Sequence, residues 1–288
     1  GGNFDEPLPE LLALPERVTS WIVSTLYGRV ENSVISQTRR KPTLAAYECL
    51  LRGIKQFRGY GPDANDRAVA LFQQAVDLDP DYSLARLYLA FATVMAHGGY
   101  DTGPDHLWDA ALAAGNAAVE ADGDDGRCHW LLGSIYGRYG DAEREARHYQ
   151  RAVELNPNDA SAIACVGISH AVMGRFDEGI EQIRLAMRLN PDHPEWYWDS
   201  LGIVFYLAQR YADAVEACSR RGEKGRYVLP RLAAALAQLG RMDEAARVVE
   251  ELRLRHPDFS LGKLRLDDWR PAHAELFREG MRKAGLPE

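Results

Sequence analysis

Apolar residues along this chain fall in helical blocks that come in pairs, most of them ending at a proline. Ala68, Phe72 and Ala75 lead to Pro80, and Leu132, Gly133, Tyr136, Tyr149 and Ala152 lead to Pro157. Val166, Gly167, Gly179, Ile183 and Ala186 lead to Pro191, and Leu232, Ala233, Leu236, Ala245 and Val249 lead to Pro257. The phase is strict in the middle of the chain: Gly133 and Gly167, Ala152 and Ala186, and Pro157 and Pro191 are each 34 residues apart. Glycine and alanine stand where two helices must cross closely. Proline stops the second helix because it has no N–H to continue the ladder.

Three residue types keeping one 34-residue phase predict tetratricopeptide repeats. The expected fold class is all-α: a tetratricopeptide-repeat right-handed α-solenoid of about six helix pairs, with N- and C-terminal capping helices. The expected boundaries are a linker and capping helix over 1–42, the array over 43–258, and a capping helix and tail over 259–288. The first unit carries Gly53 in its first helix. The second has Leu89, Ala90, Ala111 and Ala118, with Gly123 in the proline slot. About nine residues, around His97 to Pro104, are inserted between its helices; such a loop is either a partner contact or a tolerated spacer. The fifth unit shows Trp198, Leu201, Gly202, Phe205 and Ala214, and its second helix ends early near Gly222. In the turns Met173–Gly179 and Leu239–Ala245 the glycine is expected to end one helix left-handed and Asp177 or Asp243 to cap the next. Upstream, Val18, Trp21, Ile22, Leu26 and Val30 form one stripe, expected to cap the first repeat; Leu276, Phe277 and Met281 are the matching expectation at the other end.

The formal net charge of −8, without a run of Lys or Arg, argues against nucleic acid as a partner of this chain. The longest apolar stretch, Leu87 to Ala96, is about half of a membrane span, so no membrane partner is expected. Cys49, Cys128, Cys165 and Cys218 stand far apart inside helical patterns and read as unreactive thiols in the cytoplasm. Gly1-Gly2 without an initiator Met reads as a cloning remnant on a piece of a longer protein. No nucleotide-binding glycine loop, HExxH or GxSxG is present. Asp122-Gly123-Asp124-Asp125-Gly126 lacks the spaced ligands of a calcium loop and falls where an inter-repeat turn belongs. Cys128 and His129 are adjacent on a helix and diverge, and His129 holds a core slot usually filled by Trp. No cofactor, no metal and no enzymatic activity are expected.

The first helix of each unit lines the concave face of such an array. Those slots hold Leu84, Leu87, Phe91, Val94 and Met95 in the second unit, of which Leu84, Leu87 and Phe91 are expected in the core. The third unit places Arg127, Trp130, Ser134 and Arg138 there, the fourth Ile168 and Val172, and the fifth Trp196, Asp199, Ile203, Tyr206 and Leu207. The candidate partner-binding residues are therefore Arg127, Trp130, Ser134, Arg138, Ile168, Trp196, Asp199, Ile203 and Tyr206. The Lys and Asn set that clamps chaperone C-termini is absent. This apolar and aromatic lining has two occupants to choose between: a partner's peptide or helix, or the chain's own N-terminal helix.

The order of segments resembles a known arrangement. It runs from Leu11–Leu26 through Lys41-Pro42-Thr43-Leu44-Ala45-Ala46-Tyr47-Glu48-Cys49-Leu50-Leu51-Arg52-Gly53 to Ala68–Pro80, and ends with His256-Pro257-Asp258-Phe259 and Lys283-Ala284-Gly285-Leu286-Pro287-Glu288. It is similar to the C-terminal tetratricopeptide region of bacterial class III adenylate/guanylate cyclase-like proteins, and to the same tail of bacterial winged-helix transcriptional regulators. That resemblance implies a non-enzymatic regulatory or scaffold tail whose output domain lies outside this chain, binding a protein or peptide partner of unnamed identity. Two other classes stay open: a self-association element that forms a homodimer, and a small-ligand sensor.

Overall fold

In the computed structural model the described residues are 41–58, 62–97, 103–220, 228–257, 259–263, 266 and 270–286. The expected N-terminal capping stripe lies outside the described residues. Among those, all regular structure is helical. Six pairs follow one another: α1 (Leu44–Phe57) with α2 (Pro62–Leu78), α3 (Ser83–Ala96) with α4 (Asp105–Ala121), α5 (Gly126–Arg138) with α6 (Ala142–Leu155). Then come α7 (Ala160–Val172) with α8 (Phe176–Leu189), α9 (Trp196–Leu207) with α10 (Tyr211–Ser219), and α11 (Val228–Gln238) with α12 (Met242–Arg255). A closing helix, α13 (Pro271–Lys283), packs on α11 and α9.

From α1 to α12 each helix packs on its successor, and first helices of neighbouring pairs touch directly, α3 on α5, α7 on α9 and α9 on α11. Small residues permit the crossings. A Cβ at Gly133 would stand 2.7 Å from the Tyr149 ring, and one at Gly167 would stand 2.8 Å from the Gly179 carbonyl. The turns after α5, α7 and α11 each use a left-handed glycine, Gly140, Gly174 and Gly240. The turn after α9 puts Gln209 in the same conformation, at φ 58°.

Capping departs from expectation in two turns. Asp125, Asp141 and Asp159 cap α5, α6 and α7 through their carboxylates. In the turns after α7 and α11, however, Arg175 and Arg241 occupy the cap, and Asp177 and Asp243 lie inside the first turn. The backbone N–H of Gly179 and of Ala245 bonds back to Arg175 and Arg241, starting each helix earlier. Those aspartates act on the helix dipole rather than as caps.

Two apolar clusters fill the array. One, over the first two pairs and one side of α5, gathers Leu50, Phe72, Leu87, Tyr88, Phe91 and Trp108, and buries Leu84 as expected. The other runs from Ile163 to Leu286. The α5–α6 pair adds polar groups to its buried apolar residues: His129 and Ser134 are buried, and Ser134 meets the hydroxyl of buried Tyr149.

Candidate functional site

The candidate lining is carried by α5, α7 and α9, and the structure sorts its members by what each side chain meets. Trp130 on α5 is half-buried, and its indole N–H donates to the Cys165 sulfur of α7 at 3.3 Å, binding the two first helices together. Burial pushes that Cys165 thiol up to about 12, so it stays protonated. Ile168 lies three residues further along α7 and is half-buried. On α9, Trp196 and Ile203 are seven residues apart, on one face of the helix, and both are half-buried. Trp196 rests edge-on against Tyr197, with centroids 4.3 Å apart.

The charged members are engaged. Arg127 forms a forked pair with the Asp125 carboxylate, at 2.6 and 2.9 Å, beside the cap of its own helix. Asp199 pairs with Arg231 of α11, whose guanidinium also donates to the Asp199 carbonyl. That pair fixes α9 against α11. Its side chains are 11% and 19% exposed, too dry for either charge to stand alone at low cost.

Three expected lining residues are turned elsewhere. Ser134 is buried because it donates to the Trp130 carbonyl and accepts from Tyr149, so it fills the α5–α6 interior. Arg138 is buried with its guanidinium 5.5 Å from the Trp108 ring centroid and bonded to Asp105, so it clamps α5 onto α4. Tyr206 is fully buried beneath α13: its hydroxyl donates to the Leu276 carbonyl at 3.1 Å, and its ring packs edge-on against Phe277. None of the three presents a surface to a partner.

Arg231 was not among the expected residues. Its signal was available: it is the one charge in the apolar helix Val228–Gln238, and an isolated charge in such a helix needs a partner. Among the described residues no group of three or more His, Cys, Asp or Glu side chains is placed to hold a metal ion. No described helix is long and apolar enough to cross a membrane.

What remains of the expected lining is Trp130, Ile168, Trp196 and Ile203, half-buried on three first helices, the first packed against one apolar cluster and the other three against the second. Chemically it can cover an apolar side-chain row; it holds no group arranged for acid–base or nucleophilic work.

Family models described as tetratricopeptide repeat match residues 126–159 and 167–222. The six pairs and their small-residue crossings make the described array a tetratricopeptide α-solenoid. The chain is 21% identical over 227 residues to the protein O-mannosyl-transferase TMTC1 of Homo sapiens, covering 77% of this chain and 24% of that protein. Its fold is similar to a chain of the APC/C hetero-tetramer Cut9–Hcn1, with TM-score 0.58 at 15% identity, covering 89% of this chain and 45% of that one. It is also similar to PilW, a type IV pilus biogenesis factor, with TM-score 0.54 at 18% identity, covering 75% and 96%. At these identities the structures share the fold.

Proposed function

We propose that this array is a non-enzymatic protein-interaction module that docks a partner's peptide or helix on Trp130, Ile168, Trp196 and Ile203. The observation that supports this reading is that two tryptophans and two isoleucines on the first helices of three successive pairs are only partly buried, each with one side against an apolar cluster. Tryptophan in such a position anchors a bound segment at small entropic cost, because only two torsions are fixed. The occupant is a segment with apolar residues at helical or extended spacing. Arg127 and Asp199 are already paired, with Asp125 and Arg231, and offer no free charge to the occupant.

The finer reading is a regulatory or scaffold tail of a bacterial signalling protein, with the output domain outside this chain. It rests on the resemblance at Lys41–Gly53 and Lys283–Glu288. A second reading, self-association, is favoured by a separate observation: Leu44, Tyr47 and Leu51, on one stripe of α1, are 82%, 38% and 45% exposed.

The test is a peptide-library selection on the whole chain, followed by binding measurements on Trp130→Ala and Trp196→Ala. Loss of about tenfold or more in either variant, with the melting midpoint little changed, supports docking on this strip. Unaltered affinity in both variants refutes it. Mass that rises with concentration and reverts in Leu51→Glu would place self-association on α1 instead.

A further inference from the structure

The polar interior of the third pair contains a histidine couple that the docking strip does not use. His129 of α5 is 8% exposed and faces His148 of α6 with the two Nδ1 atoms 2.9 Å apart. The other nitrogen of His129, Nε2, lies 3.1 Å from the Gly123 carbonyl. A carbonyl can only accept, so in the neutral couple His129 carries its proton on Nε2. Its Nδ1 must then accept, and His148 must donate from its own Nδ1. One hydrogen-bond chain therefore runs from His148 through His129 to the turn joining α4 and α5.

We propose that this couple makes the third helix pair a pH-responsive joint: neutral or singly protonated it ties α6 to α5, and doubly protonated it pushes them apart. The first proton is accommodated by a tautomer exchange. His129 then donates from both nitrogens, to Gly123 and to His148 Nδ1, and His148 keeps its proton on Nε2. A second proton makes both Nδ1 atoms donors. The bond is lost, and two like charges stand within contact distance in a half-dry interior.

The surroundings favour this assignment. Tyr136 stacks on the His148 ring at 5.4 Å and carries the Arg144 guanidinium on its ring at 5.2 Å. Arg144 and Arg147, both on α6, add positive charge beside His148. On the other side, the α4–α5 turn presents Asp122 and Asp124, the latter paired with Arg151, while Asp125 is held by Arg127. From α7, Cys165 reaches Trp130 and Tyr149. Burial first, then His129, Arg147 and Arg144, hold His148 down to about 4 from the ordinary 6.5. The unfolded chain thus takes up this proton more readily than the folded one. The contribution to stability is complete above about pH 6.5 and is lost as pH falls toward 4. It stands apart from what the docking strip binds.

The experiment is performed on the whole chain. Long-range proton–nitrogen spectra at pH 8 should show His129 protonated on Nε2 alone and His148 on Nδ1 alone. On acidification, amide exchange in residues 126–155, corrected for intrinsic rates, should rise relative to 228–255 between pH 6.5 and 4. His148→Gln keeps a donor for His129 without the titration, so that relative rise should be lost. Independent titration of the two rings at the ordinary histidine value would overturn the proposal, as would the same local rise in His148→Gln. Acid opening that begins in α7 or α13, where His170 and His273 are also held low by burial, would overturn it too. Should His148→Gln fail to fold, the tautomers and titration of the unaltered chain decide.

Discussion

The α5–α6 pair and the α11–α12 pair have the same two-helix architecture, but only the first buries polar side chains among its apolar ones. In the first, buried His129 bonds to His148 and to the Gly123 carbonyl, and the Tyr149 hydroxyl donates to buried Ser134. In the last, Leu232, Ala233, Leu236, Ala245, Val249 and Leu252 are buried with no polar side chain among them, and α13 closes the end with Phe277 and Met281. An apolar interior is insensitive to pH and to direction, and it is stabilised in proportion to area. A polar one holds only while each donor has its acceptor, so its geometry is fixed more narrowly and its protonation matters. The first-helix faces differ too. Trp130 on α5 and Ile168 on α7 are half-buried, whereas toward the C-terminus Tyr206 is sealed under α13. One fold thus supplies a closed, static end and a half-open, titratable middle.

Breaking the closed end should have the largest effect. Phe277→Ala removes a ring that is 4% exposed and uncovers Tyr206. The expected loss is about 3–5 kcal/mol of unfolding free energy, measured by urea denaturation. A loss below about 1 kcal/mol would mean that α13 does not seal the array.

Crowding the middle should cost less. Gly133→Ala sets a methyl carbon 2.7 Å from the Tyr149 ring, which also donates to Ser134, so the ring cannot move without losing that bond. About 1–3 kcal/mol should be lost, despite the better helix propensity of alanine. An unchanged or raised midpoint would show that the α5–α6 crossing has slack and that its hydrogen bonds do not fix it.

Much of this comparison was legible in the chain. The 34-residue phase of Gly133 and Gly167 and of Pro157 and Pro191 gives the pairs and their order, because crossing distance and helix arrest depend on single residues. His129 in a slot usually taken by Trp marked the third pair as unlike the others. Its partner His148 was hidden, since a contact across a hairpin 19 residues long leaves no local pattern. The lining was less legible. Trp130, Ile168, Trp196 and Ile203 are half-buried, whereas Ser134, Arg138 and Tyr206 are buried, against Tyr149, Trp108 and α13 respectively. Slot numbering gives the direction of a Cα–Cβ bond. It does not give what a long side chain finds within reach, and α13 lies outside the period altogether.

The smallest effect concerns a turn. Gln209 holds a left-handed conformation that Gly140, Gly174 and Gly240 hold without a Cβ in the equivalent turns. Gln209→Gly should therefore raise stability by up to about 1 kcal/mol, the backbone strain relieved being partly offset by the entropy of glycine. A lower melting midpoint would mean that the Gln209 side chain contributes more than its backbone costs.

In the proposed docking mode the middle of the array, not the sealed end, receives the partner. Hydrogen–deuterium exchange on the whole chain, with and without a selected peptide at saturation, tests this most directly. New protection is expected in α5, α7 and α9, centred on residues 127–138, 161–172 and 196–207. Protection confined to α1 around Leu44, Tyr47 and Leu51, or to the second helices of the pairs, would contradict it.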